Sequence, residues 1–234
     1  MIKIAIYDSG YGGELFADAL EEEFPTYKVI RVIDWRNSAK IIKSIKTARQ
    51  AALESLRPYI GKTDLIVFAN FLLSITSLKY FRKHFPNQKF VGFSLPKPHL
   101  LRTCRERRTI ILSTKALSKS LLFQLYLLKL RSISKIKVAN LDAWVEKIDD
   151  GELTETKIAH ALSKYQNFHP NAIILACSQF IELEPQIKSV FPKRLKTFKY
   201  HKVLIGNIRT ALQIFDYQRK TSGLKSRPEF PSKA

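Results

Sequence analysis

The chain has 234 residues, 45% of them hydrophobic, and its 40 Lys and Arg against 20 Asp and Glu give a formal net charge of +20. That apolar content is enough to bury the core of one compact unit or of two closely packed lobes. No apolar run approaches the roughly 18 residues that cross a bilayer, and the first residues form a strand pattern rather than a signal peptide, so we expect a cytoplasmic protein without a membrane span.

Cysteine and histidine usage argues against disulfides and bound metal. Only Cys104 and Cys177 are present, and neither belongs to a Cys-x-x-Cys or Cys/His pattern. The 5 His are scattered without the spacing of metal ligands. We therefore predict neither a disulfide scaffold nor a metal site.

The excess of basic residues is the unusual feature of the composition. A charge of this size creates a field that attracts nucleic acid, anionic lipid or acidic proteins. No recognition motif or aromatic-basic repeat accompanies it, so a solvated, lysine-rich surface is the simpler interpretation. A polyanion or nucleic-acid partner stays open as an alternative.

Strand and helix patterns alternate along the chain, which is typical of βα units and a mostly parallel sheet in the α/β class. The predicted strands are Lys3 to Tyr7, Tyr27 to Ile33, Asp64 to Phe68, Lys89 to Phe93, Thr109 to Leu112, Ile136 to Ala139 and Ala172 to Leu175. The predicted helices are Glu14 to Glu23, Ser38 to Leu56, an Arg-rich helix from Leu100 to Arg108 that contains Cys104, and Ile205 to Phe215.

Two lobes and a tail are predicted from the breaks in this pattern. Pro96 and Pro98 interrupt it and indicate a crossover between lobes. We assign residues 1–95 with the closing helix at 205–216 to the first lobe, and residues 96–204 to the second. Residues 217–234 combine basic residues with Gly, Ser and Pro, which predicts a disordered basic tail.

A repeated sequence pattern predicts a shared cleft. Asp64-Leu-Ile-Val-Phe-Ala-Asn70 and Asn171-Ala-Ile-Ile-Leu-Ala-Cys177 each read as a buried strand that ends in Ala and a polar residue. Groups at the carboxyl ends of strands line the ligand crevice in open α/β sheets. We therefore expect Asn70 and Cys177 on opposite sides of one cleft.

The turn after the first strand, Asp8-Ser9-Gly10-Tyr11-Gly12-Gly13, is a second candidate ligand site. It can present backbone N–H groups and a carboxylate at a helix N-terminus. Its glycine spacing fits neither a dinucleotide fingerprint nor a P-loop. A tight turn with Asp8 as a helix cap is an equally good interpretation.

Cys177 is a candidate reactive residue, since a thiol at a strand-to-helix junction can become a nucleophile or a base. Buried cysteines are more often inert, so position alone does not make it catalytic. Asp149 and Asp150 precede Gly151, where paired carboxylates usually act as turn formers and helix caps.

The ordered set of motifs resembles a known family. Asp8-Ser9-Gly10-x-Gly12-Gly13, and Cys177 followed by Glu182-Leu183-x-Pro185, are similar to the Asp-Ser-Gly-x-Gly-Gly and Gly-Cys-Thr-His-Tyr-Pro-Leu segments of glutamate racemases, in the aspartate/glutamate racemase superfamily. The resemblance implies two similar lobes with the active site between them, no cofactor, an amino acid or small carboxylate as ligand, and a possible homodimer. It also implies one thiol on each face of the substrate Cα, acting as acid or base.

Carried over by position, the resemblance implies a set of site residues. The implied catalytic residues are Cys177, Asp8 and Asp149, the last as the acid that assists Cys177, and the implied substrate-binding residues are Ser9, Asn70, Thr114, Ser178 and Gln179.

The chain departs from the family pattern at the first thiol. The family's Ala-Cys-Asn-Thr segment aligns with Ala69-Asn70-Phe71-Leu72, so an amide stands where a proton carrier is needed. Phe71 and Leu72 replace the pair that, by resemblance, holds the polar groups of the amino acid. Gln179 stands where the family has a histidine. Lys97, Asp34 and Tyr11 are conceivable substitutes for the missing group.

Three functions are compatible with these departures. The first is a racemase-like protein whose two-base racemisation is absent or much reduced. The second is a single-thiol enzyme, such as a decarboxylase, in which Cys177 donates a proton and Phe71 and Leu72 accommodate a less polar acid. The third is a non-catalytic binding protein that engages nucleic acid or an acidic partner through its basic surface.

Overall fold

A computed structural model of the chain describes residues 1–41, 44–95, 108–191, 195–198 and 200–222, and for residues 39, 40, 149, 200 and 214–222 it describes the backbone only. The strands are β1 Lys3–Asp8, β2 Lys28–Ile33, β3 Leu65–Phe68, β4 Phe90–Gly92, β5 Arg108–Ser113, β6 Lys135–Asn140, β7 Ala172–Leu175 and β8 Lys196–Phe198. The α-helices within this part of the chain are α1 Tyr11–Glu23, α2 Ser38–Ile41, α3 Ile45–Leu56, α4 Phe71–Thr76, α5 Leu78–His84, α6 Lys115–Ser118, α7 Leu121–Arg131, α8 Asp142–Asp149, α9 Glu155–Ser163, α10 Glu184–Ser189 and α11 Tyr200–Ser222. Short 3-10 helices lie at Trp35–Asn37, Gln166–Phe168 and Ser178–Ile181.

The strands form two parallel sheets with the same connectivity. The first has the order β2-β1-β3-β4 and the second the order β6-β5-β7-β8, each four-stranded. All pairs are parallel, and the central pairs place Tyr7 beside Phe68 and Leu112 beside Leu175. The predicted α/β class with two similar lobes is therefore confirmed.

Helices cover both faces of each sheet, which is why the central strands are apolar on both sides. In β7, Ile174 faces the main hydrophobic core, while Ile173 and Leu175 face a second cluster that contains Trp144 and Phe180. The main core is continuous from the first sheet through α4 to the buried face of α7. The two sheets are consequently held together by one shared body of side chains.

The closing helix α11 packs on the first sheet. Leu204, Ile208 and Leu212 are buried in the same core as β1 and β3. Asn207 also donates from Nδ2 to the Gly92 carbonyl oxygen at 3.2 Å, which ties α11 to the end of β4.

The prediction of a single helix from Ser38 to Leu56 is wrong. The chain forms α2 and α3 instead, because Ser44 has extended backbone (φ −151°, ψ 134°) and its Oγ accepts from Thr47 N, which makes it the N-cap of α3. An N-cap serine competes with a continuous helix by offering the backbone N–H groups an alternative partner.

Helix α11 is longer at both ends than the predicted Ile205 to Phe215, so residues 217–222 of the predicted tail are helical. No Gly or Pro interrupts residues 207–222, and the first such breaker is Gly223. Residues 223–234 lie outside the described part of the chain. So does the predicted helix with Cys104, apart from Arg108, which begins β5.

Candidate functional site

Four strand ends converge on one cavity. Asp8 and Ser9 lie at the end of β1, Asn70 follows β3, Thr114 follows β5, and Cys177 follows β7. The carboxyl ends of parallel strands are the usual place for ligand-binding groups. The described residues that line the cavity are Asp8, Ser9, Ile41, Asn70, Phe71, Leu72, Thr114, Ala176, Cys177, Ser178 and Gln179.

The Asp8 carboxylate organises the polar side of the cavity. Its Oδ1 accepts from the Ser9 backbone N–H at 2.7 Å and from Asn70 Nδ2 at 3.0 Å. Its Oδ2 accepts from Ser178 Oγ at 2.9 Å, across the interface between the two lobes. Asp8 is only 2% exposed, so these donors replace the water that an ionised carboxylate needs. The N-cap of α1 is Gly10, without a side-chain bond, so Asp8 is not the helix cap.

Asn70 is engaged at both ends of its amide. Nδ2 donates to Asp8 and also to Ser9 Oγ at 3.2 Å, while Oδ1 accepts from the Leu73 backbone N–H at 3.0 Å and caps α4. An amide has no proton to transfer in the neutral pH range. Asn70 therefore acts here as a helix cap and a cross-link between β1 and β3.

Cys177 faces the cavity from the second lobe. Its backbone is extended (φ −150°, ψ 138°) and precedes the short 3-10 helix Ser178–Ile181. The S–H group donates to Gln179 Oε1 at 3.7 Å, within reach of a sulfur hydrogen bond. In this contact the S–H group of Cys177 is the hydrogen-bond donor.

The glycines after β1 allow the two lobes to meet closely. A Cβ on Gly12 would lie 2.7 Å from Ser178 Cβ and 2.8 Å from the Ser178 carbonyl carbon. A Cβ on Gly13 would overlap with Asp8 Cβ. The Gly12-Gly13 pair is thus explained by close packing of the α1 backbone against the second lobe and against Asp8.

The cavity beside this packing is small. Its volume is about 20 Å³. That is room for about one water molecule. A ligand the size of an amino acid enters only if the two lobes separate or the lining side chains move.

An apolar wall faces the polar side. Phe71 and Leu72 begin α4, and Ile41 ends α2 on the same cavity. The Phe71 ring stacks on Phe93 with 5.4 Å between centroids, which holds it in place. Ile41 and Ala176 were missed at the sequence level, because each looks like an ordinary core residue in an apolar run.

The remaining predicted residues fall into two groups. Thr114 is buried and lines the cavity, but it forms no side-chain cap bond to α6. Asp149 is the last residue of α8, and its side chain lies outside the described part of the chain. Its assistance to Cys177 therefore stays a prediction.

Asp34 belongs to a separate buried network rather than to the described cavity lining. It accepts from Ser55 Oγ at 3.1 Å, from Asn37 Nδ2 at 3.0 Å and from the Tyr7 hydroxyl at 3.4 Å. Burial raises the pKa of Tyr7 well above its usual value, and the Asp34 and Asp8 carboxylates raise it further. Tyr11 is 45% exposed, and Lys97 lies outside the described residues.

No metal-binding group of three His, Cys, Asp or Glu side chains occurs among the residues that the structure describes. Within the same residues, no helix is long and apolar enough to cross a membrane.

Comparison with known proteins gives the same relatives in sequence and in structure. No family model matches the chain. Glutamate racemase of Aquifex aeolicus (strain VF5) is 25% identical over 191 residues, which cover 80% of this chain and 75% of that protein. The glutamate racemase isoform RacE1 from Bacillus anthracis superposes with a TM-score of 0.76 at 15% identity, over 92% of this chain and 82% of that one.

Two further solved structures carry ligands. Escherichia coli glutamate racemase, in complex with L-glutamate and the activator UDP-MurNAc-Ala, superposes with a TM-score of 0.76 at 17% identity, over 91% of this chain and 82% of that one. The Francisella tularensis enzyme in complex with D-glutamate gives 0.71 at 16% identity, over 97% and 86% of the two chains.

Proposed function

We propose that this chain, a glutamate racemase homologue in sequence and in fold, has lost two-base racemisation of glutamate and retains a site with a single thiol. The observation that carries the proposal is Asn70, whose amide is hydrogen-bonded at both ends and lines the same cavity as Cys177. Solved relatives hold L- or D-glutamate, so an amino acid or a small carboxylate is the ligand class we propose. A cytoplasmic location and a site without a cofactor belong to the same proposal.

Racemisation needs proton transfer on both faces of the substrate Cα. One group removes the weakly acidic proton, and a second group on the other face returns one. Cys177 can serve one face, whereas the Asn70 amide cannot serve the other. Because a general acid or base contributes about 10²–10⁴-fold in typical enzymes, we expect a loss of this order in the rate of inversion.

The lining supports a change of ligand as well. The side chains of Phe71 and Leu72 offer no hydrogen bonds to an amino acid's charged groups, and leaving those groups unpaired in a buried site would cost binding energy. Asp8 already accepts three donors and would repel a second carboxylate placed beside it. A substrate with fewer charged groups than glutamate fits this lining better.

The hydrogen bond from Cys177 to Gln179 favours a second candidate function, that of a single-thiol decarboxylase. In that reaction the C–C bond to the leaving carboxylate breaks, carbon dioxide departs, and the electron pair stays on carbon as a carbanion. The Cys177 S–H bond then supplies the proton, and the resulting thiolate regains one from water. The S–H group of Cys177, directed at Gln179 Oε1, is the donor form that this step requires. The predicted homodimer and nucleic-acid contacts stay predictions.

Proton NMR in D₂O tests the proposal directly. The purified protein is incubated separately with L- and D-glutamate and with L- and D-aspartate, and the Cα proton signal and the enantiomer ratio are followed. We expect no inversion of any of the four. Exchange at Cα without inversion identifies a working single thiol, and inversion at a rate typical of racemases contradicts the proposal.

Two variants locate any exchange that is observed. Cys177→Ala removes the thiol at the cavity and should abolish exchange. Cys104→Ala removes the other thiol of the chain and is the matched control, for which the rate should be unchanged.

A further inference from the structure

One face of helix α7 is apolar and exposed. Leu121, Leu122, Leu125 and Leu128 are 74%, 51%, 47% and 61% exposed, respectively. They follow one another at one helical turn or less, so they form a continuous stripe. Scattered single leucines on a surface are ordinary, whereas a stripe of four on one helix marks an interaction surface.

The helix itself is firmly held by its other face. Phe123, Leu127 and Leu130 are fully or almost fully buried in the main core, and Ser120 Oγ caps the helix by accepting from Phe123 N at 3.3 Å. The exposed leucines therefore belong to a rigid, anchored helix. Their orientation toward solvent follows from the packing of the opposite face.

Basic side chains flank the stripe on both sides. At about 100° per residue, Lys129 lies along one edge of the leucine stripe and Arg131 along the other. Lys119 comes directly before the cap of the helix and is exposed. In the part of the chain that the structure describes, none of these three side chains forms an ion pair.

The surrounding sequence contains no acidic residue. From Arg108 to Leu141 the bases are Arg108, Lys115, Lys119, Lys129, Arg131, Lys135 and Lys137, with no Asp or Glu among them. The exposed leucines thus coincide with a stretch of wholly positive charge in a chain of net charge +20.

We propose that α7 docks on the surface of an anionic lipid bilayer, lying in the plane of the interface. Leucines on one face enter the boundary between headgroups and acyl chains, while flanking bases reach the anionic headgroups with their long side chains. Helix α7 has 11 residues. That is about half the length that would span a bilayer, so the docking is peripheral.

Charge decides between a membrane and other occupants. In a two-fold symmetric pair of α7 helices, Lys119, Lys129 and Arg131 would meet the same bases and no acid from this stretch of sequence, which disfavours self-association through this face. An anionic membrane complements both the leucines and the bases, and each basic residue near its surface contributes about five-fold in binding. The proposal is independent of the chemistry at the Asn70 and Cys177 cavity.

Vesicle sedimentation tests it with the full chain. The probes are large unilamellar vesicles of equal phosphatidylglycerol and phosphatidylcholine, compared with vesicles of phosphatidylcholine alone. We expect binding to the anionic vesicles, at least about ten-fold weaker binding to the neutral ones, and a loss on raising NaCl from about 0.1 M to about 0.5 M.

Two sets of variants separate the leucines from the charge. Leu121→Gln with Leu125→Gln and Leu128→Gln should weaken binding at least about ten-fold, with the circular dichroism spectrum unchanged because all three positions are exposed. Lys129→Gln with Arg131→Gln should weaken it by about ten- to thirty-fold. Lys62→Gln with Lys83→Gln removes the same charge from exposed positions of the first sheet's lobe and should have little effect.

Any of four results overturns the proposal. The first is no binding to anionic vesicles, and the second is full binding by the leucine variant. The third is an equal loss in the Lys62 and Lys83 control, which would assign the binding to net charge alone. The fourth is a dimer in sedimentation velocity that the leucine variant converts to monomer, which would assign the stripe to a second copy.

Discussion

Asn70 has a structural role that a cysteine could not fill. Its amide donates to Asp8 and Ser9 and at the same time accepts from the backbone N–H of Leu73. A thiol is a weak donor and a weak acceptor and cannot make three such bonds together. Asn70 therefore stabilises the strand ends around the cavity.

Tyr7 should make the stability of the folded chain depend on pH. Because burial and nearby carboxylates raise its pKa in the folded state, the folded chain keeps the phenol proton at a pH where the unfolded chain loses it. The unfolded pKa is about 10, so stability is unaffected by this group below that pH and falls above it by about 1.4 kcal/mol per pH unit. In Tyr7→Phe this loss is absent.

Urea unfolding at several pH values measures this effect. The free energy of unfolding of the wild type, minus that of Tyr7→Phe, should be constant up to about pH 10 and then decrease as the pH rises. Tyr11→Phe, at a ring that is 45% exposed, is the matched control for loss of a tyrosine hydroxyl. A constant difference for Tyr7→Phe up to about pH 11 would contradict the assignment.

At the scale of elements, helix α1 and the strand end after β7 form a close contact beside the cavity. Gly12 allows the α1 backbone to approach Ser178 and Gln179, and Ser178 Oγ reaches Asp8 across the same interface. The closeness of this contact is what limits the cavity to about one water.

Gly12→Ala should open this contact. Alanine normally stabilises a helix relative to glycine by up to about 1 kcal/mol, but here its Cβ meets Ser178 backbone and side chain that cannot both move away. We expect a loss of about 1–3 kcal/mol in unfolding free energy, as for other overpacked sites. In a Cys104→Ala background, we also expect faster reaction of Cys177 with a thiol reagent.

Gly206→Ala is the matched control, because Gly206 lies in helix α11 and a Cβ there meets nothing within 4 Å. It should be neutral or stabilising by about 0.5–1 kcal/mol, with unchanged thiol reactivity. Equal stability changes at the two glycines would show that Gly12 has no special contact.

Elements with a clear period were predictable from the sequence, and those set by a single residue were not. All seven predicted strands are present because long apolar runs between turn residues specify buried parallel strands. The eighth, Lys196–Phe198, is three residues long and carries no periodic signal. The break between α2 and α3 depends on Ser44, whose capping role is invisible in an otherwise helical pattern.

The same limit applies to the candidate site. Strand ends in a parallel sheet converge, so the meeting of Asp8, Asn70 and Cys177 at one cavity was predictable from their positions. The small volume of that cavity was not, because it depends on tertiary contacts of Gly12 and on the placement of Ile41. Neither residue differs in the sequence from an ordinary helix glycine or core isoleucine.

On the scale of the whole molecule, the second sheet repeats the order of the first, and one chemical group follows each of the four central strands. In a two-base racemase, each of the two similar lobes must supply one side chain that can transfer a proton. Here the backbone keeps the repeat, while Asn70 and Cys177 differ in the ability to carry a proton. We therefore assign the proposed loss of racemisation to one segment, Asn70-Phe71-Leu72.

Restoring the family residues in that segment is the sharpest test of the proposed loss of racemisation. The variant with Asn70→Cys, Phe71→Asn and Leu72→Thr is compared with the wild type for inversion of L-glutamate in D₂O, with folding checked by circular dichroism. We expect no measurable inversion by the wild type and a rate at least about 100-fold higher in the variant. Inversion by the wild type at a rate equal to that of the variant would contradict it.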